Sequence, residues 1–190
     1  AGAVIVTDSA IANNTAGDQG GGIRSVTSTV TLTNASLTGN NASSASGGGL
    51  YATSTALAIH GGTVSGNVAN TGAGLYLTNS PSPAQLDGGV QIVNNSATSG
   101  GGLYLSEDGQ AALTNVRVAG NQASSSSAGI RMGGTLTITD SEISNNGSAT
   151  QPGSGGGIRT SGALTIINSA LTGNQVNSSS GLGAGIYVAD

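Results

Sequence analysis

Two short signals return along this chain at one shared interval. The first is a glycine followed by an aliphatic residue, with the glycine at Gly22, Gly49, Gly74, Gly102, Gly129, Gly157 and Gly185. The second is aliphatic-x-x-Asn, ending at Asn14, Asn40, Asn67, Asn95, Asn121, Asn146 and Asn174. Both columns advance by 25 to 28 residues. Two independent markers with one period define a stack of like units, because a unit this short cannot bury a face of its own and must share a core with its neighbours.

Between the markers the chain alternates with period two, as in Leu136-Thr137-Ile138-Thr139, Val30-Thr31-Leu32-Thr33 and Leu164-Thr165-Ile166. That is the pattern of a strand with one buried face. Each repeat therefore holds about three strand-like segments: one after the glycines, one at the Leu-Thr-Ile-Thr run and one before the Asn. No stretch carries helical periodicity with caps, and the glycine-rich junctions would break a helix. The expected fold is all-β, a parallel β-helix of about seven coils of about 27 residues, in which each strand pairs with its equivalent one coil away. Residues 1–190 are read as a single domain of this kind, uncapped at both ends.

Composition tests this reading against disorder. The chain has 34 Gly, one Met, no Phe, Trp or Cys, and only 6% charged residues. Yet 36% of its residues are hydrophobic and its net charge is only −4, too small to hold a chain open by repulsion. The four basic residues are all arginine, which leaves no basic surface for nucleic acid. No apolar run approaches the length of a membrane span, so no membrane insertion is expected. The first residue is Ala1 and no signal peptide is visible, which suggests a processed or excised chain.

With its paired Gly-aliphatic and aliphatic-x-x-Asn motifs, the chain resembles bacterial extracellular right-handed parallel β-helix repeat proteins. In particular, it resembles the polymorphic outer-membrane protein type of repeat, with its GGA-aliphatic and FxxN motifs. Here Ile, Leu or Val stands in place of the Phe in every copy, while the Asn is kept in all seven. The resemblance implies right-handedness and a location outside the cell or at its surface. It leaves function open, because such repeats serve adhesins, stalks, autotransporter passengers and enzymes alike.

Stacking turns each repeated position into a column. The Asn column, Asn14 to Asn174, is read as a structural ladder of turn amides bonding to the coils above and below. Asp8, Asn34, Asn115, Asp140 and Asn168, interrupted by Gly61 and Gly89, form a second turn column. If the aliphatic residue after the glycine points inward, the next one points out. Arg24, Tyr51, Tyr76, Tyr104, Arg131, Arg159 and Tyr187 then make one external stripe containing every tyrosine of the chain. Such a stripe serves either mutual support by stacking or contact with a partner, glycans included. The Ser-rich segments Ser43 to Ser46, Ser124 to Ser127 and Ser178 to Ser180 are read as solvated loops. Sequons at Asn13-Asn14-Thr15 and Asn94-Asn95-Ser96 leave glycosylation open.

Chemistry is harder to find. The carboxylates are dispersed, with only Glu107-Asp108, read as a turn, and Asp140/Glu142 close together. His60 is placed near Asp87, one coil on, without a nucleophile or metal partner. No catalytic residue, metal or cofactor is assigned. An ice-binding threonine face, Thr31, Thr33, Thr137, Thr139 and Thr165, is interrupted by Ala58, His60, Gly88 and Ile167. Joining the end of the chain to its start completes a further repeat. Either the chain is a segment of a longer β-helical protein, or its end strands, through Val4, Val6, Ile186 and Val188, associate head to tail, as in a filament. The expected role is a non-enzymatic extracellular structural protein, a filament subunit or surface stalk segment; the alternative is an adhesin using the Tyr/Arg stripe.

Overall fold

A computed structural model describes residues 2–148, 155–177 and 181–189. The backbone winds as a parallel β-solenoid whose strands form four sheets running along the axis. In chain order, sheet A holds Ala3–Thr7, Thr29–Thr33, Ala56–His60, Ala84–Asp87, Gln110–Thr114, Thr135–Thr139 and Ala163–Ile167. Sheet B begins at Ala10–Ala12 and ends at Ala170–Thr172. Sheet C begins at Asn41–Ser46 and ends at Gln175–Val176, and sheet D begins at Ile23–Val26 and ends at Ile186–Val188. Sheets A, B and D have seven strands each, which gives the seven expected coils.

Among the described residues, six of the seven coils carry four strands rather than three. The additional strand, in sheet C, falls on the Ser-rich segments: Ser43 to Ser46 lie within Asn41–Ser46, and Ser124 to Ser126 within Gln122–Ser126. Ser178 to Ser180 lie outside the described residues. These segments extend because the coil below and the coil above supply backbone partners whatever side chains they carry. A signal for them was present in the sequence: Ala42, Ala69, Ala97 and Ala123 recur two places after the ladder Asn and are all buried. Sheet C thus packs by small residues where sheets A, B and D use Leu, Ile and Val.

The main core is a continuous aliphatic column along the axis, with Val30, Leu32 and Leu57 from sheet A, Leu37, Val64 and Ile92 from sheet B, and Leu50, Leu75 and Leu103 from sheet D among its members. Strand register places like on like: Leu136 on Leu164, Ile138 on Ile166, Ile143 on Leu171 and Ile130 on Ile158. Stacked aliphatic side chains in successive coils fill the interior.

The corners explain much of the Asn, Asp and Gly content. Between sheets A and B the chain turns through a left-handed residue at Asp8, Asn34, Gly61, Gly88, Asn115, Asp140 and Asn168, with φ between 47° and 69°. Only Gly, Asn and Asp visit that region readily. The register assigns this column to Gly88 rather than Gly89, since Gly61 N donates to Asp87 O and Gly89 N to Asn115 O. Gly88 therefore belongs to the corner and not to the outward face of sheet A. Ahead of the ladder Asn a second left-handed position recurs as Asn13, Gly39, Gly66, Asn94, Gly120, Asn145 and Gly173.

Candidate functional site

The outward residues of sheet D form the Tyr/Arg stripe. In register, Arg24 faces Tyr51, Tyr51 faces Tyr76, Tyr76 faces Tyr104, Tyr104 faces Arg131, Arg131 faces Arg159 and Arg159 faces Tyr187. The parallel ladder lays the rings flat on one another. Tyr51 and Tyr76 have centroids 5.1 Å apart at 11°, and Tyr76 and Tyr104 lie 4.8 Å apart at 3°. The Arg24 guanidinium caps one end of this stack 6.0 Å from the Tyr51 ring, and Arg131 caps the other 5.4 Å from Tyr104. A second unit pairs Arg159 with Tyr187 at 5.3 Å. Each cation meets the electron-rich face of a ring, which is the favourable geometry.

This packing changes what the stripe can bind. The faces of Tyr51, Tyr76 and Tyr104 are taken by one another and by guanidinium groups, so the stripe offers ring edges and phenol hydroxyls rather than open faces for stacking on a sugar. Tyr76, in the middle, has its phenol held above its ordinary pKa of 10.0, first by burial and then by the neighbouring Tyr104 and Tyr51, with Arg131 opposing. Arg131 also donates through Nη1 to Ser99 Oγ at 2.8 Å. A cleft of about 130 Å³ lies along the stripe, lined by Tyr104, Glu107, Arg131, Arg159 and Ser161 among others.

A larger groove of about 710 Å³ follows the corner of sheets A and B, lined by Gln91, Asn115, Arg117, Asp140, Glu142 and Asn168 among others. The sequence reading did not find it, because its residues come from four coils. Its charges are paired off: Arg117 Nε lies 3.3 Å from Glu142 Oε2, and Asn168 Nδ2 donates to Asp140 Oδ1. The His60–Asp87 contact is a 2.7 Å pair, with both side chains close to half exposed. Glu107 and Asp108 sit in a turn closed by Gly109 N donating to Ser106 O at 2.9 Å. Among the described residues no three His, Asp or Glu come together in a group that could hold a metal ion. Thr31 faces Ala58, Thr33 faces His60 and Thr139 faces Ile167, so the threonine face is interrupted in register.

The Asn column forms a ladder with a direction. Asn14 donates its backbone N–H and Nδ2 to Asn40 Oδ1 at 3.1 and 3.0 Å. The same double donation runs from Asn40 to Asn67, to Asn95, to Asn121, to Asn146 and to Asn174. Each Nδ2 from Asn40 onward also donates back to a carbonyl one coil behind, beginning with Ile11 O at 2.8 Å. Asn40, Asn67, Asn95, Asn121 and Asn146 are fully buried, and their polar atoms are satisfied by these bonds.

At the two ends the core is open. Val4 and Ile186 are 39% and 40% exposed and Val188 is 72% exposed, although their strand partners Val30, Ile158 and Thr160 are buried. Val6, Ile11, Leu164, Ile166 and Leu171 are half-covered at the edges of the core.

The family model for the right-handed β-helix region matches residues 31–190. The chain belongs to the right-handed β-helix family. No curated protein and no solved structure matches it.

Proposed function

We propose that this right-handed β-helix is a non-enzymatic structural element of a cell exterior, a rod that serves as a filament subunit or a surface stalk segment. The carrying observation is that its distinctive residues are spent on joining one coil to the next. The Asn ladder, the glycine column and the Tyr/Arg stripe each run in register through all seven coils. Such an object gains length and stiffness by repetition, whereas a catalytic centre gathers unlike groups at one point. The likeness of its paired motifs to polymorphic outer-membrane protein repeats supports a bacterial, extracellular setting. The Tyr/Arg stripe along the outside of sheet D favours lateral contact.

Electron microscopy of the purified chain, with a polysaccharide-degradation screen on the same preparation, tests this. The expected result is rods about 34 Å long per chain, from seven coils at about 4.8 Å each, single or joined into fibres, with no new sugar ends. Release of oligosaccharides that Asp140→Asn or Glu142→Gln abolishes would replace the structural reading with an enzymatic one. Glycan binding lost in a Tyr51, Tyr76, Tyr104 triple serine variant would favour an adhesin.

A further inference from the structure

Along the axis the stripe runs Arg24, Tyr51, Tyr76, Tyr104, Arg131, Arg159, Tyr187, one residue per coil. Reversed about Tyr104, the same column runs Tyr, Arg, Arg, Tyr, Tyr, Tyr, Arg. Laid on each other, the two orders set Arg24 on Tyr187, Tyr51 on Arg159 and Tyr76 on Arg131, with Tyr104 on itself. Every arginine meets a tyrosine and none meets another arginine. Moving the centre by one coil breaks the match: about Tyr76, Arg24 falls on Arg131, and about Arg131, that arginine falls on itself. A centre between Tyr76 and Tyr104 sets Arg24 on Arg159, and one between Tyr104 and Arg131 sets Arg24 on no stripe residue. The match is set by the order of the stripe residues, whatever lies beyond them.

We propose that a second copy of this chain binds along the stripe, face to face and antiparallel, about a two-fold axis at Tyr104. This rests on the structural reading above and names the partner for its lateral contact. Two rods so placed share one self-complementary patch, an isologous interface. The spacing fits without adjustment, because both columns step by one coil, about 4.8 Å, over a length of about 29 Å. The faces of Tyr51, Tyr76 and Tyr104 are occupied within each chain, so the groups that meet are guanidinium N–H and phenol oxygen. Arg24 spends Nε on Gln19 Oε1 at 3.3 Å, and Arg131 spends Nη1 on Ser99 Oγ at 2.8 Å. A guanidinium carries five N–H donors, so both keep donors for a phenol oxygen of the other copy. Among the described residues neither forms a salt bridge with a carboxylate, so their charge is not already neutralised. Parallel rods placed face to face would set Arg24, Arg131 and Arg159 each on its own counterpart, and like charges in contact oppose pairing.

Analytical ultracentrifugation over a concentration series, with variants of matched composition, tests this. The wild type should form a dimer. Tyr76→Arg sets an arginine opposite Arg131 twice in each pair and should weaken dimerisation about a hundredfold, at about tenfold for each contact. Tyr76→Arg combined with Arg131→Tyr puts arginine on tyrosine again at that step and should dimerise as the wild type does. Tyr76→Arg combined with Arg24→Tyr has the same composition and net charge but still sets an arginine opposite Arg131, and should stay weak. Parallel or unregistered packing would not separate these two swaps. Should a swap fail to fold, as judged by circular dichroism, mixing Tyr76→Arg with Arg131→Tyr supplies the matching stripes from two chains, and the mixture should dimerise at near wild-type strength.

A wild type that stays monomeric, two folded swaps that behave alike, or a matched mixture that fails to pair would each overturn the inference. Monomeric rods would leave the structural reading in place; polysaccharide cleavage would remove that reading while the difference between the swaps stood.

Discussion

Asn95 shows what one side chain does in this fold. Its Oδ1 accepts from Asn67 N–H and Nδ2, and its Nδ2 donates to Val64 O and Asn121 Oδ1. Asn95→Ala would leave the Asn67 N–H without its acceptor in the interior, while the Val64 carbonyl keeps its place in the strand ladder. At about 1–3 kcal/mol for an unsatisfied group, the expected loss is about 2 kcal/mol, measured by denaturant unfolding. Tyr76 gives a second prediction at this scale. Its phenol pKa is raised in the folded chain, so the native state holds the proton more tightly than the unfolded state does. The associated stability is present below pH 10.0 and is lost as pH rises above it through the folded value. Ultraviolet titration of the native protein should show a phenol ionising above the ordinary range, and that signal should be missing in Tyr76→Phe.

Among the elements, the strand after the glycines depends most on what lies beside it. A Cβ at Gly102 would meet Gly129 O at 2.7 Å and Asn121 Nδ2 at 3.0 Å, whereas one at Gly147 would meet nothing within 4 Å. Gly102→Ala should cost about 2 kcal/mol or more by thermal unfolding, with Gly147→Ala within about 0.5 kcal/mol of wild type. The strands of sheets A, B and D were legible because Val, Ile and Leu alternate with Thr, Ser and Tyr at fixed places in the period. Sheet C was not, because Ala alternating with Ser and Asn carries little hydrophobic contrast and reads as a loop. The stripe was legible because Tyr and Arg occupy one step of the repeat. Its ring stacking depends on the register between coils, and the corner groove joins four coils and so has no local signature.

In the whole molecule, stability is a sum over neighbouring coils. The end strands, Ala3–Thr7 at one face and Ile186–Val188 at the other, have a neighbour on one side only. Hydrogen exchange of the isolated chain should therefore be fastest there and slowest in the coils containing Leu75, Leu103 and Ile130, with protection graded from the centre outward. Uniform protection across all strands would indicate that the ends are covered in solution.

The Asn ladder has an electrical consequence. In parallel strands the backbone dipoles largely cancel, but the ladder's side-chain amides do not alternate. From Asn40 to Asn174 each Oδ1 turns toward the coil before it, where the amide N–H groups it accepts from lie. Their moments add along the axis as peptide moments do in a helix, leaving partial negative charge at the Val4 face and partial positive charge at the Ile186 face. The rod is in effect a small electret, with a permanent sense along its length that an applied field can orient.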